Sequence, residues 1–295
     1  MKNKIFPYFL LPASVLFLLY SCGGGEAIEL KLNLTTGDVF NTHVNMDQRV
    51  VTSAMGMNLT MNQNMDTYQT LTVKSLDKEG NTTLESVTDR FVMKQNMPMM
   101  GTPVNVEFDT GNPEKSGAMG ATMNPYFQKM KGLTYRMTLD RAGKLISSDM
   151  EAVYKNLGLD SIAEQDGKVA PETNPEQYIT RLPEKPLKKG GKYVVEMPPT
   201  GAGYALKNTY TIKEITAERV VMEVASEFIP AKSSEIEGTS IEMSGTQTGT
   251  VEIDRKTGMT MKSELKQDLK MNITTMGMNM PTTTTGTIRF TCTKK

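Results

Sequence analysis

The side chains best placed to do chemistry in this sequence are thioethers. In the run Met55-Gly-Met-Asn-Leu-Thr-Met-Asn-Gln-Asn-Met65, positions 55, 57, 59, 61 and 65 are methionine or leucine, while the even positions are glycine, asparagine and threonine. On an extended strand successive side chains point to opposite faces, so Met55, Met57, Met61 and Met65 share one face. Further clusters occur at Met93-Lys-Gln-Asn-Met-Pro-Met-Met100 and Met271-Asn-Ile-Thr-Thr-Met-Gly-Met-Asn-Met280. Met276, Met278 and Met280 have one parity and Met271 the other, so a bulge or turn must fall near Met276 if all four are to face the same way. Three uses of such a face are open. Methionine is flexible and fills irregular β cores. It also lines adaptable grooves for lipids or partners, which makes Met55, Met57, Met61, Met65, Met276, Met278 and Met280 candidate ligand-binding residues. Thioethers select Cu(I) as well, with Met55, Met57, Met61 and Met65 as candidate donors. Same-face neighbours on one strand stand about 7 Å apart, so a metal site needs a second strand to converge on it.

Other chemistry is poorly provided for. The chain of 295 residues has 24 methionines but one histidine, two cysteines and no tryptophan. That rules out the usual zinc sites and a disulfide scaffold. With 33 basic and 33 acidic residues and no basic cluster, it also lacks the electrostatics of a nucleic-acid binder. His43 is the one candidate base for a Ser/His or Cys/His arrangement, and its place in a strand-like run reads as structural or merely exposed. Cys292, near the end of another such run, reads as a small buried hydrophobe. Carboxylates are scattered over turn and solvent-face positions. The expectation is a protein that is not an enzyme.

The elements that would carry the methionines are strands. Ile28, Leu30, Leu32 and Leu34 alternate with Glu29, Lys31 and Asn33, and similar alternation recurs through Val220 to Val224. Asp77-Lys-Glu-Gly-Asn81, Asp140-Arg-Ala-Gly143 and Asp254-Arg-Lys-Thr-Gly258 combine a turn-initiating carboxylate with a glycine for positive φ, the signature of hairpins. Residues 124–186 depart from this pattern. Asn124-Pro125 and Asn174-Pro175 each resemble a helix N-cap followed by proline, and Asp149 to Leu157 suits a short helix. The predicted fold class is all-β and mainly antiparallel: two related curved-sheet or half-barrel halves, 28–123 and 187–295, with a helical and loop insert containing a central hairpin at 124–186. The halves are suggested by a repeat in which Tyr68 to Phe91 resembles Asn208 to Phe228, each copy preceded by a glycine and an aromatic residue and followed by a similar hairpin. Threonine-rich hairpins that look alike by composition remain the other explanation.

The N-terminus carries a sorting signal. Lys2 and Lys4 precede an apolar run from Ile5 to Tyr20 that contains two prolines and is short for a membrane span of roughly 20 residues. Leu19-Tyr-Ser-Cys22 followed by Gly23-Gly-Gly25 is similar to a bacterial lipobox, with Tyr20 bulkier than is common there. The resemblance implies a signal peptide at 1–21, cleavage before Cys22, acylation of Cys22 by palmitate-like chains, and a tether at 22–27. Two or three acyl chains anchor a protein stably to a membrane surface.

The opening Leu30-Lys-Leu-Asn-Leu34 with Gly37, the methionine-rich first hairpin, the turn Leu139-Asp-Arg-Ala-Gly143 and the run Leu182-Pro-Glu-Lys-Pro-Leu-Lys-Lys-Gly-Gly-Lys-Tyr193 together resemble an uncharacterised family of lipoproteins of this length, known chiefly from Bacteroidota. Tyr193 stands where tryptophan is common in that family. The resemblance implies a location in the cell envelope and a β fold, and no mechanism. The spacer Gly23-Gly-Gly-Glu26 lacks the acidic run of a surface-export signal, which implies an outer-membrane anchor facing the periplasm. Asp160-Ser-Ile162 is similar to these organisms' O-glycosylation motif and makes Ser161 a candidate glycan site. The function expected is non-enzymatic: binding of a hydrophobic ligand or envelope partner, or structural support, with periplasmic Cu(I) binding as the alternative.

Overall fold

Alternation at a period of two turns most of this chain into strand, and turn chemistry joins the strands in hairpins. The computed structural model describes residues 26–54, 56–99, 102–116, 128–150, 153, 179–200, 204–231, 239–275 and 278–295. The expected signal peptide, Cys22, Met55, Ser161, Met276 and about half of the proposed helical insert, including 154–178, lie outside the described residues. The strands are β1 (Val39–Ala54), β2 (Met57–Leu76), β3 (Thr82–Met99), β4 (Thr102–Asp109), β5 (Thr134–Leu139), β6 (Leu145–Ser148), β7 (Lys192–Thr200), β8 (Tyr204–Ile215), β9 (Arg219–Pro230), β10 (Thr239–Asp254), β11 (Thr260–Thr275) and β12 (Met278–Lys294). They form one 12-stranded antiparallel sheet in the order β6-β5-β3-β2-β1-β12-β11-β10-β9-β8-β7, with β4 beside the second half of β3. The sheet is open, with no pairing between β6 and β7 among the described residues. The all-β antiparallel expectation holds. The hairpin expected inside the insert is β5–β6, and it extends the sheet by pairing with β3.

All three expected turns form as the residue types require. The Asp77 carboxylate accepts the backbone N–H groups of Glu79 (2.9 Å) and Asn81 (2.8 Å). Asp140 does the same for Ala142 and Lys144, both at 2.8 Å, and Asp254 accepts the Thr257 N–H at 2.7 Å. These Asx contacts hold the turns that join the paired strands.

At this end the inner face of the sheet is filled by irregular chain. Residues 28–34 do alternate, with Ile28, Leu30, Leu32 and Leu34 buried and Glu29, Lys31 and Asn33 exposed, but the segment is not a strand of the sheet. It makes one bridge, Ile28 to Leu187, and otherwise crosses inside the curve, held by Leu32 N–H to the Arg141 carbonyl (2.7 Å) and Asn33 N–H to the Thr257 carbonyl (2.9 Å). Leu32 and Leu34 pack with Phe40, Leu71, Leu139, Ile179, Met259 and Phe290 in one cluster, and Ile28 and Leu30 pack with Ile212, Met222 and Ile253 in another. Gly258, at φ +73°, lets the β10–β11 turn lie against this segment, because a Cβ there would strike the Lys31 carbonyl.

The sheet carries paired irregularities. An extra residue bulges β2 between Val73 and Ser75, and another bulges β8 between Ile212 and Glu214. The Gly37 N–H donates to the Val73 carbonyl (2.9 Å), and the Gly190 N–H donates to that of Ile212 (2.7 Å).

Candidate functional site

Beyond the filled end the strands continue, and their register lays the inner-face side chains in rows. Phe108, Met93, Met65, Met46, Ile288 and Leu265 are successive cross-strand partners on β4, β3, β2, β1, β12 and β11. The next row is polar: Gln95, Gln63, Gln48, Gly286, Gln267, Gln247, Ser226 and Asn208 follow one another from β3 to β8. After it the face turns apolar again with Met61, Val50, Leu269, Phe228 and Leu206, broken by Thr284 and Gly245. Leu59, Met271 and Met243 come next. Directly opposed residues of an antiparallel pair share a face, so these rows form one continuous surface. Glycine at position 286 lets β12 and β1 approach closely, since a Cβ would meet the Asp47 carbonyl.

These rows form the face of a trough, and its part between β1, β8, β9, β10, β11 and β12 holds a cavity of about 470 Å³, floored by Thr180, Val251 and Phe290. Met57, Met61, Met65, Met278 and Met280 lie along the same face outside the cavity lining. None of the cavity's lining residues is charged. The volume falls within the range of small-molecule sites, about 300–1,000 Å³. Burial declines along the trough, from Met93 at 6% exposed to Leu59 at 43% and Met57 at 62% at the hairpin tip.

Several of the trough's polar groups have weak partners or none among the described residues. Gln63 Nε2 donates to Met65 Sδ (3.1 Å), and Gln95 Nε2 donates to Met61 Sδ (2.6 Å), both weak acceptors. The amides of Gln48, Gln247 and Gln267 form no hydrogen bond with another described residue. The Thr284 hydroxyl is buried without a partner among the described residues.

The outer face has the opposite character. Lys213–Glu223 (3.0 Å), Arg219–Glu252 (3.2 Å), Lys94–Glu107 (3.2 Å) and Arg289–Glu264 (3.5 Å) pair across neighbouring strands. Arg136, with Lys74, holds the Glu85 carboxyl below its ordinary range. A transmembrane barrel presents an apolar band outward, and this sheet presents charge there.

The candidate methionines divide accordingly. Met57, Met61 and Met65 share the trough face of β2, and Met278 and Met280 share that of β12. The β11–β12 hairpin between Thr275 and Met278 supplies the turn that brings Met271 onto the same face. Met57, Met61 and Met65 climb one strand and do not gather at a point. The cross-strand trio is instead Met46, Met65 and Met93. The amide row was not anticipated. Its signal was Gln63, an amide at the parity of the methionine face, but only strand register aligns it with glutamines far away in sequence.

His43 lies on the outer face, where Nε2 is 2.7 Å from Asp66 Oδ1 and the ring stacks on Tyr68 at 4.3 Å. Cys292 is buried in the core, which pushes its thiol up to about 12, far from nucleophilic use near neutrality.

A family model described as a family of unknown function, DUF6263, matches residues 79–260. No curated protein sequence matches the chain. Among solved structures, a lipovitellin chain described for its lipid–protein interactions is similar at TM-score 0.52 and 6% identity, over 87% of this chain. The chain spans 25% of that lipovitellin chain, and the likeness is one of fold. The translocator domain of the autotransporter NalP from Neisseria meningitidis aligns over 87% of this chain and 89% of its own, at 7% identity and TM-score 0.24, too low to carry weight.

Proposed function

Since the chain belongs to DUF6263, a family of unknown function, its role has to be read from the trough, and we propose a non-enzymatic, lipid-anchored envelope protein that holds a hydrophobic ligand there. The observation that carries this reading is an uncharged cavity of about 470 Å³ inside a sheet whose other face is laced with ion pairs. A large concave apolar surface with a few polar groups is the usual form of a ligand site. The fold likeness to lipovitellin, a protein described by its interactions with lipid, agrees with it.

The anchor rests on the sequence alone: the lipobox-like Leu19 to Cys22, with a tether leading to Glu26. A lipoprotein of the Bacteroidota type, on the outer membrane and facing the periplasm, is the accompanying proposal, with a glycan on Ser161. We further infer two related halves meeting at the β1–β12 seam. The paired bulges and paired glycine contacts support this, as do the guanidinium groups of Arg141 and Arg255, which lie against the turns at Gly80 and Thr216. Outside the β5–β6 hairpin, the rest of residues 124–186 is proposed to cap the sheet, with the described portion around Ile179 to Leu182 packed in its core.

The test is to purify the full chain from membranes, extract it with organic solvent and identify what is released by mass spectrometry. A lipid recovered in stoichiometric amount is expected, and an empty trough that binds no lipid would end the proposal. Cys22→Ser should move the protein out of the membrane fraction. A second reading, Cu(I) binding, rests on Met46, Met65 and Met93 standing abreast on adjacent strands. Anaerobic titration against a chelator decides it, with no binding tighter than micromolar ending it.

A further inference from the structure

We propose that the ligand is an uncharged lipid with an ester or amide linkage, the linkage lying against the amide row and the chains running along the apolar rows to either side. This rests on the trough being a lipid site and adds which chemistry it selects. The polar row crosses eight strands, with amides at Gln95, Gln63, Gln48, Gln267, Gln247 and Asn208, interrupted by Gly286 and Ser226. Gln48, Gln247, Gln267 and Asn208 line the cavity itself. A core-filling face would place apolar side chains at that level, because buried amides cost free energy unless they are hydrogen-bonded. Amides both donate and accept, so the row matches a carbonyl, an ester oxygen or a hydroxyl.

Two of these amides, Gln63 and Gln95, have partners that a carbonyl improves on. Both donate to thioethers, and an ester carbonyl is the stronger acceptor. Thr284, flanked on its inner face by Val50 and Leu269, has a buried hydroxyl with no partner among the described residues, one step from the row. The apolar rows on both sides, Met46 with Met65 and Ile288 below, Met61 with Leu269 and Phe228 above, suit chains that leave the linkage in two directions. Charge is excluded by the same surface. A carboxylate or phosphate inside the trough would be desolvated with no cation among the lining residues to pair with it.

The experiment uses the full chain carrying Cys22→Ser and follows displacement of N-phenyl-1-naphthylamine by dioctanoylglycerol, decanoate and hexadecane. Dioctanoylglycerol is expected to displace the probe at a concentration at least about 10-fold below decanoate, which corresponds to 1.4 kcal/mol. In Gln48→Leu/Gln247→Leu/Gln267→Leu the ester's advantage over hexadecane should vanish while hexadecane still binds. Thr284→Val, which keeps the shape and loses the hydroxyl, should weaken the ester a few-fold and leave hexadecane unchanged. Equal displacement by all three compounds, or an ester preference that survives in both variants, overturns this inference and leaves the lipid site standing. Failure of every compound, and of the probe itself, to bind overturns the lipid site.

Discussion

Arg90 and Asp109 form a two-pronged ion pair on the outer face, Nε to Oδ1 at 2.9 Å and a terminal nitrogen to Oδ2 at 2.6 Å. The Asp109 side chain is 10% exposed and also accepts the Gly111 N–H at 2.7 Å, so Arg90 first, with the Gly111 N–H and the Asn112 amide after it, holds its carboxyl well below the usual carboxylate range. A carboxyl lowered by folding stabilises the fold at pH above its unfolded value, about 3.9, and that contribution is lost as pH falls from there toward the folded value. Asp109→Asn is therefore expected to cost about 2 kcal/mol at pH 7, in the range for hydrogen bonds to charged groups. The gap between variant and parent should narrow as pH drops below about 4. Urea unfolding at pH 7 and pH 3 measures both, and a gap unchanged at pH 3 would count against the pairing. Cys292 is the opposite case at this scale: burial holds it neutral, so its chemistry is suppressed and its volume is what the core uses.

At the scale of elements, the segment Ile28 to Leu34 shows what periodicity does and does not reveal. Its alternation correctly separated the buried from the exposed residues, yet the same period serves a strand in a sheet and an extended chain crossing the sheet's inner face. The difference lies in backbone partners, here Arg141 and Thr257, which are more than a hundred residues away. Leu32→Ala is expected to cost about 2–5 kcal/mol, as for other buried leucines. Lys31→Ala, on the exposed side, should stay within about 0.5 kcal/mol. Thermal unfolding of the two variants checks the contrast, and equal losses would mean that the segment is not packed as described. The Asx turns at Asp77, Asp140 and Asp254 were fully legible, because their chemistry is contained within five residues. The methionine face was legible for the same local reason. The amide row was not, since it exists only through register summed over successive strand pairs. Gly286 is equally silent in sequence, as its need for close approach arises from β1, far away along the chain.

Across the whole molecule, one sheet serves two purposes along its length. The end holding Leu71, Ile212, Met222 and Met259 is packed solid by the chain's own segments, whereas the end holding Met57, Leu59 and Met278 leaves its apolar face uncovered. Methionine reports this division directly, because oxidation to the sulfoxide follows exposure and turns an apolar side chain polar. Mild peroxide treatment of the folded protein should oxidise Met57 (62% exposed) and Met278 (45%) first, with Met222 and Met259, both at 0%, resisting until the protein unfolds. Peptide mass mapping over time gives the order. Oxidation at the tips is expected to weaken lipid binding by making the trough mouth polar while leaving the unfolding midpoint nearly unchanged, since the solid end supplies most of the buried apolar area. Bound lipid should in turn slow oxidation of Met61 and Met271, which line the trough, more than that of Met57 at the tip. If Met222 were oxidised as fast as Met57, the two ends would not differ in packing, and a trough supported by a rigid base would have to be abandoned.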